Sequence, residues 1–377
     1  HKDTKTLRKI INLNFVISRL RDKEIQKEGV TVFILDGGTR VVVPRTELTY
    51  PGHNLKLHQN AADPVKSPVD HVMADLEDAC PYEFKGDKSR QVMVEALSTI
   101  DFGKKVVTVR PNNLRSEFFY GDMEAVMSGA VDRFHGVIIP KIHGPEDVKL
   151  VSELLDELEA KYGWKTKVAI ETLIERPRAL EYAYEIATAS PRMAGLIFGI
   201  ADYAAELGAD PDLLLDRQNE TFYYEKKATV TAAKAAGLHA IDNVYLRIWR
   251  KDDSPEVVKQ VEEGLRRKNE VAAAIGMDGT WVIHPQQAQI ANECYTPTKK
   301  QIEEAKHQLD FYHEMGGGSM FDPKTGQMID EATAKIALMR VSKAYMAGLV
   351  TKEYVDTMAE KSKSITGYDI RSSGDKR

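Results

Sequence analysis

The stretch Gly195-Leu-Ile-Phe-Gly-Ile-Ala-Asp202-Tyr-Ala-Ala-Glu206-Leu-Gly208 decides how this chain is read. An apolar run meets a glycine and then an acid, and a helical pattern begins. A parallel α/β fold places its chemistry at strand ends of this kind. Upstream, Lys167-Val-Ala-Ile-Glu171-Thr172 shows the same arrangement, an apolar run closing on a carboxylate. Glu171 and Asp202 at the ends of successive strands form an oxygen-only pair. Hard cations take oxygen ligands, so the pair suits Mg²⁺, with Mn²⁺ as a substitute. Either acid could instead pair with Arg110 or Lys141, and the residues alone leave both readings open.

Working outward, eight apolar strand candidates lie near 46–50, 69–76, 106–110, 136–140, 167–171, 195–200, 239–246 and 279–284. Helical periodicity fills the gaps. Val148 to Tyr162 places apolar residues at i, i+3, i+4 and i+7, after Pro145 and the acids Glu146 and Asp147. Pro177 to Ala189 and Phe222 to Ala236 read the same way. Eight strands alternating with helices over about 250 residues predict a closed (β/α)8 TIM barrel. A doubly wound open sheet would want a glycine-rich turn after its first strand, and Pro51-Gly52-His53 is not one.

The barrel is expected over 36–298, with an N-terminal helix and linker over 1–35. A C-terminal helical appendage over 299–377 is expected to act as a lid. Within it, Gly316-Gly-Gly318-Ser319 breaks the pattern before the short turn Met320-Phe-Asp322-Pro-Lys-Thr-Gly326. A glycine run before an acid-bearing turn is a plausible hinge or a plain surface loop.

Composition narrows the partners. Net charge is −5 over 377 residues, so nucleic acid and anionic membrane are not expected to be attracted. No apolar run approaches the ~20 residues of a membrane span. The first residues are polar and charged, unlike a secretory signal. The two cysteines, Cys80 and Cys294, lack metal or CxxC spacing and read as small apolar residues in a reducing compartment. A cytoplasmic enzyme is the expectation.

Charge gathers at the strand ends: Glu77 and Asp78, Arg110, Lys141, Glu171, Asp202, Asp242 and His284, with Arg45 before the first strand. Any one of these could be a structural ion pair. Jointly they predict a polar active-site mouth. Asp75-Leu-Glu77-Asp78 holds three acids within four residues, which need cations such as Arg45, Lys85, Arg90 or Arg110. Lys141 is the one residue placed to run an imine mechanism instead of a metal route.

Seven strings occur in order: Arg45-x-x-Leu48-x-x-Pro51-Gly52, Asp75-Leu-Glu-Asp78-Ala, Val109-Arg110-Pro-Asn112, Ile139-Pro-Lys141, Ile170-Glu171-Thr172, Phe198-Gly-Ile-Ala-Asp202 and Ile283-His284-Pro285-Gln286-Gln287. Together they resemble the citrate lyase β-subunit/malyl-CoA lyase group of the HpcH/HpaI aldolase superfamily. The longer C-terminal part resembles the malyl-CoA and citramalyl-CoA lyases more than the short citrate lyase subunits. The resemblance implies a Mg²⁺-dependent carbon–carbon lyase acting on an acyl-CoA and a small 2-oxo acid. It implies Mg²⁺ on Glu171 and Asp202, and substrate contacts from Arg45, Arg110 and Lys141. Arg110 would also steady the thioester enolate. Glu77 and Asp78 would orient the arginines and metal-bound waters, and Asp322 would serve as acid from a neighbouring subunit of a homotrimer or homohexamer. The favoured reaction is (S)-citramalyl-CoA to acetyl-CoA and pyruvate. Malyl-CoA or β-methylmalyl-CoA cleavage to glyoxylate, a malate-synthase-like condensation, and a non-catalytic CoA-ester-binding barrel are the alternatives.

Overall fold

The computed structural model describes residues 32–35, 39–42, 44–209 and 218–367. Most of the expected N-terminal helix and linker (1–35) lies outside the described residues. The chain divides into two compact units, Val32–Tyr295 and a second one that contains Thr296–Arg377.

The first unit is a closed, eight-stranded parallel barrel. Its strands are β1 (Thr46–Pro51), β2 (His71–Asp75), β3 (Val106–Arg110), β4 (Gly136–Ile139), β5 (Ala169–Ile174), β6 (Met193–Phe198), β7 (His239–Asp242) and β8 (Gly279–Val282). Each pairs with the next, and β8 pairs with β1, Thr280 beside Thr46, to close the ring. β2, β3, β5 and β6 are buried at every residue, as strands covered on both faces must be.

Helices pack outside. α1 (Leu55–Ala62), α2 (Asp87–Thr99) and α3 (Phe119–Gly129) precede the long α4 (Pro145–Tyr162). Pro145 opens α4, acids occupy its first turn, and Gly163 closes it at φ 74°. Where one helix was expected over Pro177 to Ala189, two short ones form, α5 (Pro177–Glu181) and α6 (Ala183–Ala187). α7 (Ile200–Leu207), α8 (Gln218–Thr221), α9 (Tyr223–Ala235), α10 (Pro255–Ile275) and α11 (Ala288–Tyr295) complete the ring. The Ser254 hydroxyl caps α10 by accepting from Val257 N. No helix among the described residues is long and apolar enough to cross a membrane.

Side chains inside the barrel lie in layers because alternate residues of each strand point inward. Met73, Ile138, Leu173, Ile197 and Ile241 form one apolar layer, with Trp281 against it. On β5, Glu171 therefore points inward below Leu173, toward the strands' N-terminal ends, and Glu175 points inward above it. The apolar layer separates a floor from a mouth.

The second unit holds α12 (Lys299–Glu314), the strand pair β9 (Met320–Phe321) and β10 (Met328–Ile329), α13 (Glu331–Met346) and α14 (Lys352–Thr366). It has its own core, built on Leu309, Tyr312, Leu338, Val341 and Met358. A capping box between Thr298 and Gln301 starts α12.

Candidate active site

Asp75 and Arg110 are register partners at the ends of β2 and β3. The Arg110 guanidinium donates to both carboxylate oxygens, Nε to Oδ1 at 2.7 Å and Nη2 to Oδ2 at 2.5 Å. Asp75 also accepts from the backbone N–H groups of Glu77 and Ala79, each at 2.8 Å. Burial works against the Arg110 charge, but Asp75 outweighs it and holds the guanidinium firmly protonated. The group lies over the Trp281 ring, 5.2 Å from its centroid. Asp75 is thus the clamp that fixes Arg110.

Lys141 follows β4 in a left-handed conformation, φ 52°, which a lysine seldom adopts. That turn aims both ends of the residue into the mouth. Its backbone N–H donates to Glu175 Oε1 at 2.5 Å, and Nζ donates to Glu77 Oε1 at 2.6 Å and to Asp78 at 2.9 and 3.0 Å. Nζ is also 3.9 Å from Asp202 Oδ1. Burial pulls the ammonium's pKa down, yet the bonds to Glu77 and Asp78 raise it well above the usual lysine value. A tightly protonated amine is a poor imine nucleophile, which counts against the imine route.

Glu175 stands one residue beyond β5 and is 2% exposed. Burial pushes its carboxyl up to about 8, with Asp202 and Glu77 adding to the shift against Arg110. Burial likewise pushes Glu77 up to about 7 and raises Asp202. For Asp78 the bonds from Lys141 outweigh burial and hold the carboxyl below its ordinary value. Gly199 makes this packing possible: a Cβ there would sit 2.6 Å from Glu175 Cβ. Asp202 lies in the first turn of α7, just after that glycine.

Glu77, Asp78, Glu175 and Asp202 thus share one mouth with Arg110 and Lys141. Burial, more than any neighbour, raises the carboxyls of Glu77, Glu175 and Asp202, and a cation held among them would offset the cost of ionising them. Oxygen-only donors, partly open to solvent at Asp202, fit a hard divalent cation that keeps waters or substrate oxygens. The residues that meet this test are Glu175 and Asp202.

Two expected site residues lie elsewhere. Glu171 was read as ending its strand, but β5 runs on through the buried Thr172-Leu-Ile174. Four residue steps carry the chain from Glu171 to Glu175, about 13 Å at ~3.3 Å each. Mg²⁺ holds its ligands at about 2.1 Å, so Glu171 cannot share one ion with Asp202. Glu171 is instead hydrogen-bonded to His239 Nε2 on the floor. Arg45 precedes β1, at the N-terminal end of the barrel, and its Nε donates to Asp70 Oδ2 at 2.8 Å. It lies at the opposite end from the mouth and orients nothing there. Cys80 is buried and Cys294 partly buried, and neither is bonded in a disulfide.

Asp322 belongs to the second unit. It is 1% exposed and held by its own turn: it accepts from Lys324 N at 2.9 Å and Thr325 Oγ1 at 2.5 Å, and shares a 2.7 Å hydrogen bond with His307 Nε2. The Thr325 bond leads in holding its carboxyl down at about 2.

Sequence reading missed Glu175 and the clamping role of Asp75. A signal for Glu175 existed in the alternation Glu171, Leu173, Glu175 and in Pro177, which ends any strand nearby.

A closed parallel barrel with a carboxylate-lined mouth and a clamped arginine is the architecture of a barrel enzyme. The chain belongs to the HpcH/HpaI aldolase/citrate lyase family, whose model matches residues 50–285. This is an oxo-acid carbon–carbon lyase family acting on CoA esters. The chain is 31% identical over 318 residues to an L-malyl-CoA/β-methylmalyl-CoA lyase of Cereibacter sphaeroides, covering 80% of this chain and 95% of that one. It is 30% identical to a malyl-CoA/β-methylmalyl-CoA/citramalyl-CoA lyase of Chloroflexus aurantiacus, covering 79% and 86%. Among solved structures, a citrate lyase of Burkholderia xenovorans superposes with a TM-score of 0.70 at 19% identity, over 84% of this chain and 96% of that one. CitE of Mycobacterium tuberculosis, in complex with magnesium, acetoacetate and coenzyme A, superposes with a TM-score of 0.61 at 24% identity, over 80% and 97%.

Proposed function

We propose that this chain is a Mg²⁺-dependent lyase that cleaves (S)-citramalyl-CoA to acetyl-CoA and pyruvate. The observation that carries the reading is the mouth itself, where the carboxyls of Glu175 and Asp202, raised by burial, stand beside the clamped guanidinium of Arg110. Mg²⁺ bound there would supply Lewis acidity toward the hydroxyl and carboxylate of a 2-hydroxy acid group.

The bond change is a retro-aldol cleavage of a 3-hydroxyacyl thioester. The substrate hydroxyl gives its proton to water at the open side of the mouth, the C–C bond breaks as that oxygen becomes the keto oxygen of pyruvate, and the C–C electron pair enters the thioester as an enolate. Arg110 stabilises that negative charge, and Asp75 keeps the guanidinium from reorienting as charge develops. Glu77 and Asp78 hold Lys141, whose backbone in turn positions Glu175. The enolate then takes a proton at carbon to give acetyl-CoA.

Asp322 of a neighbouring copy is our assignment for that last proton, with 299–377 serving as a lid in a homotrimer or homohexamer. A carboxyl held near 2 gives up its proton too easily to store it. Asp322 therefore acts only after its bonds to Thr325 and His307 are exchanged for the closed state.

The named activity of the Chloroflexus relative includes citramalyl-CoA, and that of the Cereibacter relative is confined to malyl-CoA esters. The second gives the competing reading, cleavage to glyoxylate. One methyl group separates the two oxo acids, about 1–3 kcal/mol of discrimination, so both substrates are expected to react to different degrees. A mass-spectrometric assay of malyl-, β-methylmalyl- and citramalyl-CoA side by side tests the order. The highest kcat/KM is expected with citramalyl-CoA, and excess EDTA should stop all three. Undiminished cleavage in EDTA would remove the metal. Free CoA released from acetyl-CoA and glyoxylate would instead mark the malate-synthase-like reaction. Binding of CoA esters without products would mark a non-catalytic barrel.

A further inference from the structure

Beneath the apolar layer, the barrel floor holds four titratable side chains that the proposed reaction does not use. They are Glu47 on β1, His71 on β2, Glu171 on β5 and His239 on β7, exposed by 0%, 1%, 4% and 4%. Carboxylate or imidazole atoms of Glu47, Glu171 and His239 lie within 4.8 Å of one another. His71 Nδ1 approaches Glu47 Oε1 to 3.2 Å.

Their hydrogen bonding is incomplete. Both oxygens of Glu47, Oε2 of Glu171 and Nδ1 of His71 lack a hydrogen-bond partner, although all are buried. Leaving a buried carboxylate oxygen unmatched is costly, and here Glu47 Oε2 and Glu171 Oε2 are unmatched while Glu47 Oε1 has only its 3.2 Å contact with His71 Nδ1. Meanwhile the far side of His71 is occupied: Nε2 is hydrogen-bonded to Thr108 Oγ1 at 2.7 Å. With Thr108 Oγ1 accepting from Nε2–H, Nδ1 would turn a lone pair toward the compartment, an arrangement common behind metal-binding histidines. Gly195 lets the His239 ring pack into the floor, since a Cβ there would fall 2.2 Å from His239 Nε2.

We propose that the barrel floor is a closed binding site for one first-row divalent transition metal, Zn²⁺ in class, held by Glu47, Glu171, His239 and His71. Two carboxylates and two neutral imidazoles balance a dication. This mixed nitrogen and oxygen set suits Zn²⁺ and its neighbours, whereas Mg²⁺ takes oxygen donors. Closure on all sides, with Leu173 and its apolar neighbours above, makes the ion structural and separate from the mouth.

The full chain tests this by metal content and spectrum, independently of any lyase activity. It would be unfolded in chelator, refolded with Zn²⁺, Co²⁺ or Mg²⁺ alone, and dialysed. About one equivalent of Zn²⁺ or Co²⁺ per chain should remain, with none of Mg²⁺, and the Co²⁺ form should show visible ligand-field absorption. Glu47→Gln should lose at least tenfold in retained Co²⁺ together with the band. If that variant does not fold, the wild-type content and spectrum still decide. Retention of no equivalent by the wild type, or retention unchanged by Glu47→Gln, would overturn the site and leave two imidazolium–carboxylate pairs on the floor.

Discussion

The mouth and the floor of this barrel are both built around acids, one of each carried by β5 or the residue after it, and they are suited to different work. At the mouth, Glu175 and Asp202 meet Arg110 and Lys141, and Asp202 reaches solvent. On the floor, Glu171 and Glu47 meet His239 and His71 and nothing reaches solvent. The difference teaches that a carboxylate's job follows from its depth along the strand. Two steps of inward alternation carry β5 from a sealed polar layer, through Leu173, to an open one.

The largest test of this contrast is to remove each acid of β5 in turn. Glu175→Gln should reduce kcat by 10³-fold or more, since it removes a metal ligand at the reacting centre. Glu171→Gln should leave a folded enzyme within a fewfold of wild-type kcat, but cost about 1–3 kcal/mol in chemical unfolding, because His239 loses its anionic partner. Steady-state kinetics and denaturant titration on both variants separate the outcomes. Equal kinetic losses would erase the distinction between mouth and floor.

Much of this was legible in the sequence. The eight strands, the closed barrel and the gathering of charge at strand ends follow from apolar runs bounded by turns. What escaped was depth. Ile170-Glu171-Thr172 looks like a strand terminus because a charge interrupts the run, yet a barrel interior can hold a charge if another strand supplies its partner. His239 is that partner, and it lies 68 positions away in the chain, beyond the reach of local pattern. Arg45 misled for a related reason: it is adjacent to a strand, but at the end where the chain enters. Asp70, its partner, precedes β2 in the same way.

A second test asks whether the mouth is complete on its own. Under the proposed reaction it lacks an acid, whereas the floor draws all its side chains from its own barrel. Asp322→Asn should lower kcat by about 10²–10⁴-fold, the usual worth of a general acid, with KM changed little. Exchange of the acetyl-CoA methyl protons into D₂O, followed by NMR, should slow in parallel. Wild-type kcat in this variant would return Asp322 to holding its turn.

Two glycines sharpen the comparison at smaller scale, because each makes room for one acid or its partner. Gly199→Ala places a Cβ 2.6 Å from Glu175 Cβ, and Gly195→Ala places one 2.2 Å from His239 Nε2. Overpacking of this kind costs about 1–3 kcal/mol. For Gly199 the loss should appear as roughly tenfold weaker Mg²⁺ activation. For Gly195 it should appear as a lower unfolding midpoint with Mg²⁺ activation intact. Calorimetry and Mg²⁺ titration of activity read both, and an exchange of the two phenotypes would invert the assignment.

The mildest perturbation is pH. Glu175, raised by burial to about 8, keeps a proton in the folded chain that an unfolded glutamate releases near 4.5. Its contribution to metal-free stability is therefore full below about pH 4.5 and falls as pH rises through about 8. Mg²⁺ must displace that proton, so the apparent affinity should strengthen as pH climbs from 6 to 8, by up to about tenfold per unit, and level off above. Glu77, raised to about 7, adds curvature within the same window. Titration calorimetry in buffers of differing ionisation enthalpy should register about one proton released per Mg²⁺ near neutrality. On the floor, Glu171 is held below its ordinary value by His239 against the pull of burial, so it offers no matching proton. Mg²⁺ affinity that stays flat from pH 6 to 9 would mean that the ion bypasses Glu175.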